Sequence, residues 1–124
     1  MKKIGKGNFA AVYLAEDLRR DRRVAIKAFV KDVAYRENGK RAIENEIKLM
    51  RMLNSTNIAR LYGVFETKNS LYLSMEYIEG ETLEAYLKKN KTLTLMQRKK
   101  ILKTLLSALQ DMKKLKIVHR DIKP

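Results

Sequence analysis

The chain lacks several residue types on which common protein chemistry depends. Its 124 residues include no cysteine, no tryptophan, one proline (Pro124) and one histidine (His119). Without cysteine there can be no disulfide framework, thiolate metal site or cysteine nucleophile. A single histidine excludes a histidine-rich zinc site, and it excludes most Ser/His hydrolases unless His119 is the base. The longest nearly apolar run, Ile101 to Leu109, is interrupted by polar residues and is too short to span a bilayer.

The amino terminus also lacks a targeting signal, because no apolar segment follows the charges of Lys2 and Lys3. With no cysteine and no membrane span, an intracellular and cytoplasmic location is expected. Hydrophobic residues make up 45% of the chain, which is ordinary for a globular protein and too many for a disordered segment. The length fits one domain at most, or part of a larger one.

Positive charge is abundant and unevenly placed. The formal net charge is +14, and residues 88–124 carry twelve Lys and Arg against only Asp111 and Asp121. Such a balance favours anionic partners, of which nucleic acid is one. A solvated helix face explains the same pattern, and no aromatic residue accompanies these charges to stack on bases. A nucleic-acid-binding protein is therefore the weakest interpretation, and its affinity would fall steeply with rising salt.

Apolar periodicity predicts strands followed by helices. The strand-like runs 11–15 and 24–29 flank a polar connection, which predicts a hairpin with four arginines on its exposed turn. A helix at 41–53 and two further strands, 58–65 and 70–78, follow. The four arginines of the turn are Arg19, Arg20, Arg22 and Arg23.

Helical spacing dominates the rest of the chain. Apolar residues recur at this spacing in 83–87, and Thr94 and Gln97 have the spacing of a capping box that opens a long amphipathic helix over 95–114. No later segment can cover its large apolar stripe, so we expect the stripe to aggregate or to bind a partner or a missing lobe. The stripe expected to face inward is Ile101, Leu102, Leu105, Leu106, Leu109 and Met112.

A glycine-rich segment, Gly-Lys-Gly-Asn-Phe-Ala-Ala-Val, runs from Gly5 to Val12 and precedes a strand. Glycine lets backbone N–H groups approach an anion closely, as a phosphate cradle requires. Taken alone, the segment also fits a simple two-glycine hairpin turn. It is not a Walker A motif, because no Gly-Lys-Ser/Thr opens a helix, and it is not a dinucleotide fingerprint, because a strand follows it.

Lys27 ends the apolar run Val24-Ala25-Ile26-Lys27 and shares one strand face with Ala25. Unless it is an exposed edge lysine, an ammonium on a half-buried sheet needs an anion, because unpaired burial is costly. Two glutamates of the next helix compete for it. Glu44 has basic residues at helical spacing and belongs to a solvated face, whereas Glu46 lies on an apolar stripe. We therefore predict that Glu46 pairs with Lys27.

The third motif is His119-Arg120-Asp121-Ile122-Lys123-Pro124, preceded by the strand-like Ile117-Val118. A carboxylate in such a segment can orient an attacking hydroxyl and accept its proton, and a nearby lysine can neutralise a transferring phosphate. His119 itself is expected to be a hydrogen-bonded core histidine. A chance match in a structural turn also explains so short a motif.

Taken in order, these motifs resemble the eukaryotic protein kinase family of the serine/threonine type. The helix glutamate follows Lys27 at the family's spacing, and Met75 to Gly80 is similar to the family's hinge segment. The resemblance implies an α+β fold. Residues 1–78 would form the amino-terminal lobe, an antiparallel sheet with one helix, and the hinge. Residues 79–124 would form the first helices of the carboxy-terminal lobe and end inside the catalytic loop.

The resemblance also implies roles for single residues. Lys27, held by Glu46, would contact the α- and β-phosphates of ATP, Asp121 would be the catalytic aspartate, and Lys123, typical of serine/threonine kinases, would contact phosphate. Arg120 resembles the arginine that reads a phosphorylated activation loop. The residues expected to bind ATP, with Met75 as gatekeeper, are Ile4, Gly5, Gly7, Ala10, Val12, Ala25, Lys27, Met75, Glu76 and Ile78.

Two departures from the family pattern qualify the expected function. Ala10 replaces the third loop glycine, as in some kinase groups that include the polo-like kinases. The family's magnesium ligands fall beyond Pro124, so we predict no metal site here and expect a truncated fragment that binds ATP at most. Its parent would transfer the γ-phosphate of ATP to a Ser or Thr hydroxyl of a protein. A non-catalytic kinase-like scaffold or regulatory module is the alternative, which ATP binding without magnesium would favour.

Overall fold

The computed structural model of the protein consists of two compact units. Unit 1 comprises residues 1–54 and 59–77, and unit 2 comprises residues 55–58 and 78–124. No helix in the described parts of the chain has the length and apolar character needed to cross a membrane. The residues that the structure describes are 1–7, 10–36, 38–90, 92–119 and 121–124.

Unit 1 is built on a five-stranded antiparallel sheet with the strand order β1-β2-β3-β5-β4. Valine, tyrosine and phenylalanine recur in these segments, and such side chains pack well on a pleated surface. β3 is the central strand, so Lys27 lies opposite Val12 on one side and Leu73 on the other. The strands are β1 (Lys2–Lys6), β2 (Ala10–Asp17), β3 (Arg22–Val30), β4 (Leu61–Glu66) and β5 (Ser70–Glu76).

Two helices follow β3, namely α1 (Lys31–Ala34) and α2 (Gly39–Met52). The structure confirms the helix predicted at 41–53, with its start two residues earlier. α1 was not predicted, because four residues are too few to show a helical period. The core that holds these elements on the sheet consists of Phe29, Ala34, Ile43, Leu71 and Leu73.

The β2–β3 hairpin is confirmed, but the prediction that all four arginines lie on its turn is wrong. The turn spans residues 18–21, whereas Arg22 and Arg23 belong to β3. The guanidinium carbon of Arg22 lies 3.4 Å from the centroid of the Tyr62 ring, and that of Arg23 lies 5.4 Å from the Tyr77 ring. Stacking on an aromatic face lets a charged side chain occupy a strand position.

Unit 2 contains the helices α3 (Leu83–Asn90) and α4 (Leu95–Lys114), as predicted. The capping box at the start of α4 is confirmed. The Gln97 backbone N–H donates to Thr94 Oγ1 at 3.2 Å, and the Thr94 N–H donates to Gln97 Oε1 at 2.8 Å. Both bonds satisfy donors that the first turn of a helix leaves without intrahelical partners.

The apolar stripe of α4 faces inward only in part. Met112 is buried, and Leu105 and Leu109 are half-buried. Leu102 is 56% exposed and Leu106 is 51% exposed, which contradicts the predicted inward orientation of the whole stripe. Within unit 2 the stripe is wider than the surface that covers it, and its exposed members, Ile101, Leu102 and Leu106, all precede Leu109.

Residues 55–58 connect α2 to β4 along the chain but pack with α4. The side-chain amide of Asn57 donates to Ser107 Oγ at 3.0 Å. A hydrogen bond from the Ser55 hydroxyl, together with the ammonium of Lys114 at 3.0 Å, lowers the pKa of the Asp111 carboxyl below its ordinary value. This short segment therefore joins α4 through two pairs of polar side chains.

Candidate active site

Lys27 and Glu46 form the ion pair predicted from the sequence. The Lys27 Nζ atom donates to Glu46 Oε1 at 2.6 Å, and the Lys27 and Glu46 side chains are 26% and 40% exposed. Lys27 belongs to β3 and Glu46 to α2, so the pair connects the sheet to the helix. Charge-assisted hydrogen bonds of this length are among the stronger polar contacts in proteins. The ammonium is thereby held at a fixed place beside the sheet.

The strand register explains why Lys27 faces α2. Residues opposite each other in an antiparallel pair point to the same face, and residues two apart on one strand do so as well. Lys27 lies opposite Leu73, which is 0% exposed, and two residues before Phe29, which is also in the core. The Lys27 stem therefore projects into the apolar side of the sheet, and only its ammonium requires a partner.

A cavity of about 370 Å³ adjoins the ion pair. Its walls come from the glycine-rich segment, β3, α1 and α2, and most of the lining is apolar or small. The Lys27–Glu46 pair supplies its charge. Such a hollow, apolar on most sides and charged at one edge, is typical of ligand sites in enzymes. The lining residues are Gly7, Ala10, Lys27, Phe29, Ala34, Gly39, Ala42, Ile43 and Glu46.

Of the predicted phosphate-binding residues, Gly7 and Ala10 line this cavity and Gly5 does not line it. The Gly7 N–H donates to the Ala10 carbonyl at 2.8 Å, a bond that links the residue after β1 to the first residue of β2. Gly5 lies opposite Val12 in the β1–β2 pair. Asn8 and Phe9, inside the same predicted segment, and Arg120 of the third motif lie outside the described residues.

Three of the residues predicted to bind ATP, besides Lys27 itself, lie on the Lys27 face of the sheet. Val12 is opposite Lys27, and Ala25 is two residues before Lys27 and opposite Met75. Ile4 differs, because the β1–β2 register shifts between Lys3 and Gly5 and leaves Ile4 without a partner in β2. The register thus groups Val12, Ala25 and Met75 with Lys27.

The predicted hinge begins at the end of β5. The Glu76 N–H donates to the Arg60 carbonyl at 2.8 Å, and the Glu76 carboxylate accepts from the Arg60 N–H at 3.1 Å. Ile78, the first residue after unit 1, is 66% exposed. Gly80 has φ of +142°, a backbone conformation that favours glycine. The segment between β5 and α3 is therefore mostly exposed, and two hydrogen bonds to Arg60 hold its start.

Asp121 and Lys123, the other predicted catalytic residues, lie in unit 2 and contact each other. Lys123 Nζ donates to Asp121 Oδ2 at 3.0 Å, and both side chains are more than two-thirds exposed. The Asp121 N–H donates to His119 Nδ1 at 3.2 Å. The carboxylate and the ammonium therefore form a local pair that a substrate can reach.

Two expectations for this segment are wrong. His119 accepts a hydrogen bond but is exposed, so it is not a core histidine. Ile117 and Val118 do not form a strand. No described residue from 117 to 124 belongs to a helix or strand, and Val118 and His119 are both exposed.

The sequence reasoning missed part of the cavity wall. Phe29 and Ile43 follow from the patterns already used, because Phe29 has the strand parity of Lys27 and Ile43 is three residues before Glu46. Ala34 and Gly39 had no such signal, since α1 was not predicted. No group of three acidic, histidine or cysteine side chains among the described residues is placed to hold a metal ion.

Comparison with known proteins agrees with this geometry. The model of the protein kinase domain matches residues 1–124. Over the same 124 residues the chain is 38% identical to the serine/threonine-protein kinase PrkC of Bacillus subtilis and 34% identical to calcium-dependent protein kinase 4 of Plasmodium berghei. It is 31% identical to the carbon catabolite-derepressing protein kinase of Candida glabrata.

All of the chain takes part in these matches, but it covers only 19%, 24% and 20% of the three relatives. The chain therefore spans about a fifth to a quarter of the length of the curated relatives it matches. A match of the family model over every residue, together with the ion pair that was predicted from the sequence and lies at the family's spacing, leads to one conclusion. The chain belongs to the protein kinase domain family.

Proposed function

We propose that the chain contributes the ATP-binding part of a serine/threonine protein kinase, with unit 1 as the amino-terminal lobe. In this function the γ-phosphate of ATP is transferred to a Ser or Thr hydroxyl of a protein substrate. The observation that carries the proposal is the 2.6 Å contact between Lys27 Nζ and Glu46 Oε1 beside a cavity next to the glycine-rich turn. The name of the Bacillus subtilis relative, a serine/threonine-protein kinase, supports the acceptor class.

The residues present fit a nucleotide in chemical terms. Lys27 supplies a fixed positive charge for phosphate oxygens, and Glu46 keeps that ammonium in place when the nucleotide is absent. Gly7, which has no side chain of its own, lines the same cavity and offers backbone to an anion there. Val12, Ala25 and Met75 share the Lys27 face and offer an apolar surface for a flat base.

Asp121 and Lys123 would act on the acceptor side of the reaction. A carboxylate can orient the attacking hydroxyl and accept its proton, and the exposed position of Asp121 leaves it open to substrate. Lys123 at 3.0 Å keeps a positive charge beside that carboxylate, where it can also meet phosphate. The family's magnesium supplies charge neutralisation to the transferred phosphate, and the described residues hold no acidic cluster for it.

Nucleotide binding is tested with a fluorescent ATP analogue. Lys27→Met is expected to weaken binding by about tenfold to a hundredfold, the range for loss of a charged hydrogen bond. Lys88→Met is the matched control, because Lys88 forms an equally short but exposed pair with Glu84. Equal affinity of Lys27→Met and Lys88→Met would contradict the proposed role of Lys27. Binding that does not depend on magnesium would favour the non-catalytic alternative.

Phosphoryl transfer is tested on the protein that carries this chain. Asp121→Asn is expected to reduce phosphorylation of a protein substrate by about 10²- to 10⁴-fold, the range for loss of a general base. Nucleotide affinity and the thermal unfolding midpoint should stay unchanged, because Asp121 is exposed and lies outside unit 1. Full activity of Asp121→Asn would remove its catalytic role.

A further inference from the structure

The first turn of α2 packs against the end of α1 through a glycine. A Cβ atom at Gly39 would overlap the carbonyl oxygen of Ala34 and would lie 3.0 Å from its carbonyl carbon. The obstacle is backbone, so it cannot rotate away as a flexible side chain could. Ala34 is also 4% exposed and belongs to the core, which keeps this carbonyl in place. The close approach of α2 to α1 therefore requires residue 39 to have no side chain.

Gly39 lies on the same face of α2 as Glu46. An α-helix has about 3.6 residues per turn, so residues seven apart are almost in line along the helix. Ala42 and Ile43 lie between them on this face, and all four residues line the cavity that Lys27 also lines. The turn that contacts Ala34 and the acid that contacts Lys27 thus belong to one continuous helix face.

This arrangement makes the ion pair sensitive to the start of the helix. A hydrogen bond weakens steeply once its atoms leave the usual range, and the Lys27–Glu46 contact is at 2.6 Å. Lys27 cannot follow a moving helix far, because β3 is the central strand and is paired on both sides. If the first turn is forced away from Ala34, α2 must tilt or shift, and the carboxylate of Glu46 moves with it.

We propose that Gly39 is a positioning residue for the active site, which acts through Glu46 on Lys27. The importance of the pair for ATP rests on the proposed function, whereas the link between Gly39 and the pair does not. A glycine-to-alanine change inside a helix normally stabilises it, because glycine is a poor helix former. Here the steric contact predicts that Gly39→Ala lowers the stability of the fold and weakens the ion pair.

The test labels the whole chain with an amine-reactive ester. Mass spectrometry of the peptide that contains Lys27 then measures how fast this residue is modified. In the native protein the Glu46 carboxylate shields the ammonium, and Glu46→Gln defines the labelling rate of a broken pair. Gly39→Ala is expected to raise labelling of Lys27 several-fold, towards the Glu46→Gln rate. The matched control is Lys40→Ala, at the next position of the helix with an exposed side chain, and it should label as the wild type does.

Hydrogen exchange at the amide of Leu73, in the centre of the sheet, separates local from global effects. Two results together would support the proposal. Gly39→Ala should label faster at Lys27 with unchanged exchange at Leu73, and the double variant Gly39→Ala/Glu46→Gln should label no faster at Lys27 than Glu46→Gln alone. Wild-type labelling in Gly39→Ala, or labelling that rises only together with exchange at Leu73, would overturn it. Because this assay uses no nucleotide, a failure of ATP binding would count against the proposed function alone.

Discussion

Lys31 and Glu66 form an ion pair with 2.7 Å between Nζ and Oε1, and it ties the start of α1 to the end of β4. The same ammonium donates to the carbonyl oxygen of Thr67. The hydrogen bond and the charge of Lys31 hold the pKa of the Glu66 carboxyl below its ordinary value of 4.5. The contact joins segments that are far apart along the chain, and it lies on α1, which also carries the Ala34 carbonyl.

Lys31→Met is expected to lower the thermal unfolding midpoint, and the loss should depend on pH. A carboxyl with a lowered pKa in the folded protein stabilises the fold above its unfolded pKa and loses that contribution as pH falls through the folded pKa. The difference between wild type and Lys31→Met should thus be largest near neutral pH and should shrink below about pH 4.5, the unperturbed value. A residual difference in the unfolding midpoint should remain at low pH, because the Thr67 carbonyl that also accepts from Lys31 has no titratable proton. Lys88→Met, in an exposed pair, is the control and should be nearly neutral.

Leu73→Ala is expected to destabilise unit 1 by about 2–5 kcal/mol, the range for removing a large buried aliphatic side chain. Leu73 is 0% exposed and lies opposite Lys27 in β5. Urea unfolding measures the change. The control is Leu102→Ala on the exposed part of α4, where about 0.5 kcal/mol or less is expected. Similar losses in the two variants would show that Leu73 is not a core residue.

Thr94→Ala is expected to destabilise the start of α4 by about 1 kcal/mol, because the Thr94 hydroxyl accepts from the Gln97 N–H. Hydrogen exchange of that amide should accelerate, while amides near Met112 should be little affected. Thr94→Ser keeps the hydroxyl and serves as the control that should exchange as the wild type does. Identical exchange in the alanine and serine variants would contradict the capping box.

The stacking of Arg22 on Tyr62 should be measurable as a coupling energy. Arg22→Lys keeps the charge but loses the planar guanidinium, which lies 3.4 Å from the ring centroid and donates to Asp17 at 3.3 Å. A double-mutant cycle with Tyr62→Leu is expected to give about 0.5–2 kcal/mol of coupling. Arg19→Lys, on the exposed turn, should show no coupling to Tyr62 and acts as the control. Additive effects of Arg22→Lys and Tyr62→Leu would exclude the interaction.

The sequence was sufficient to predict the ion pair, because the two-residue period of a strand and the 3.6-residue period of a helix each determine which way one of its side chains faces. Strand alternation placed Lys27 with Ala25, and helix spacing separated Glu46 from the solvated Glu44. The apolar stripe predicted around Glu46 is not buried throughout, since Leu49, three residues after Glu46, is 38% exposed. The pair forms all the same, because Ile43 is buried and holds that side of α2 on the sheet.

The sequence could not predict contacts between segments that show no hydrophobic periodicity. α1 is a single turn, so neither its existence nor the approach of Ala34 to Gly39 has a repeating signal. The association of residues 55–58 with α4 depends on the polar contact of Asn57 with Ser107, fifty positions later. An uncovered stripe on α4 was expected, but which of its residues are exposed was out of reach, since periodicity shows which residues share a face but not how much of it is covered.

The placement of Lys27 in β3 constrains how the gene can change. Side chains alternate along a strand, so inserting or deleting one residue between Arg23 and Lys27 would turn the ammonium away from Glu46. A two-residue change would preserve its side of the sheet but shift it away from Val12 and Leu73. The turn at residues 18–21 lies outside this ladder. Length variation in evolving relatives should accordingly accumulate in that turn and be nearly absent from the strand that carries the lysine.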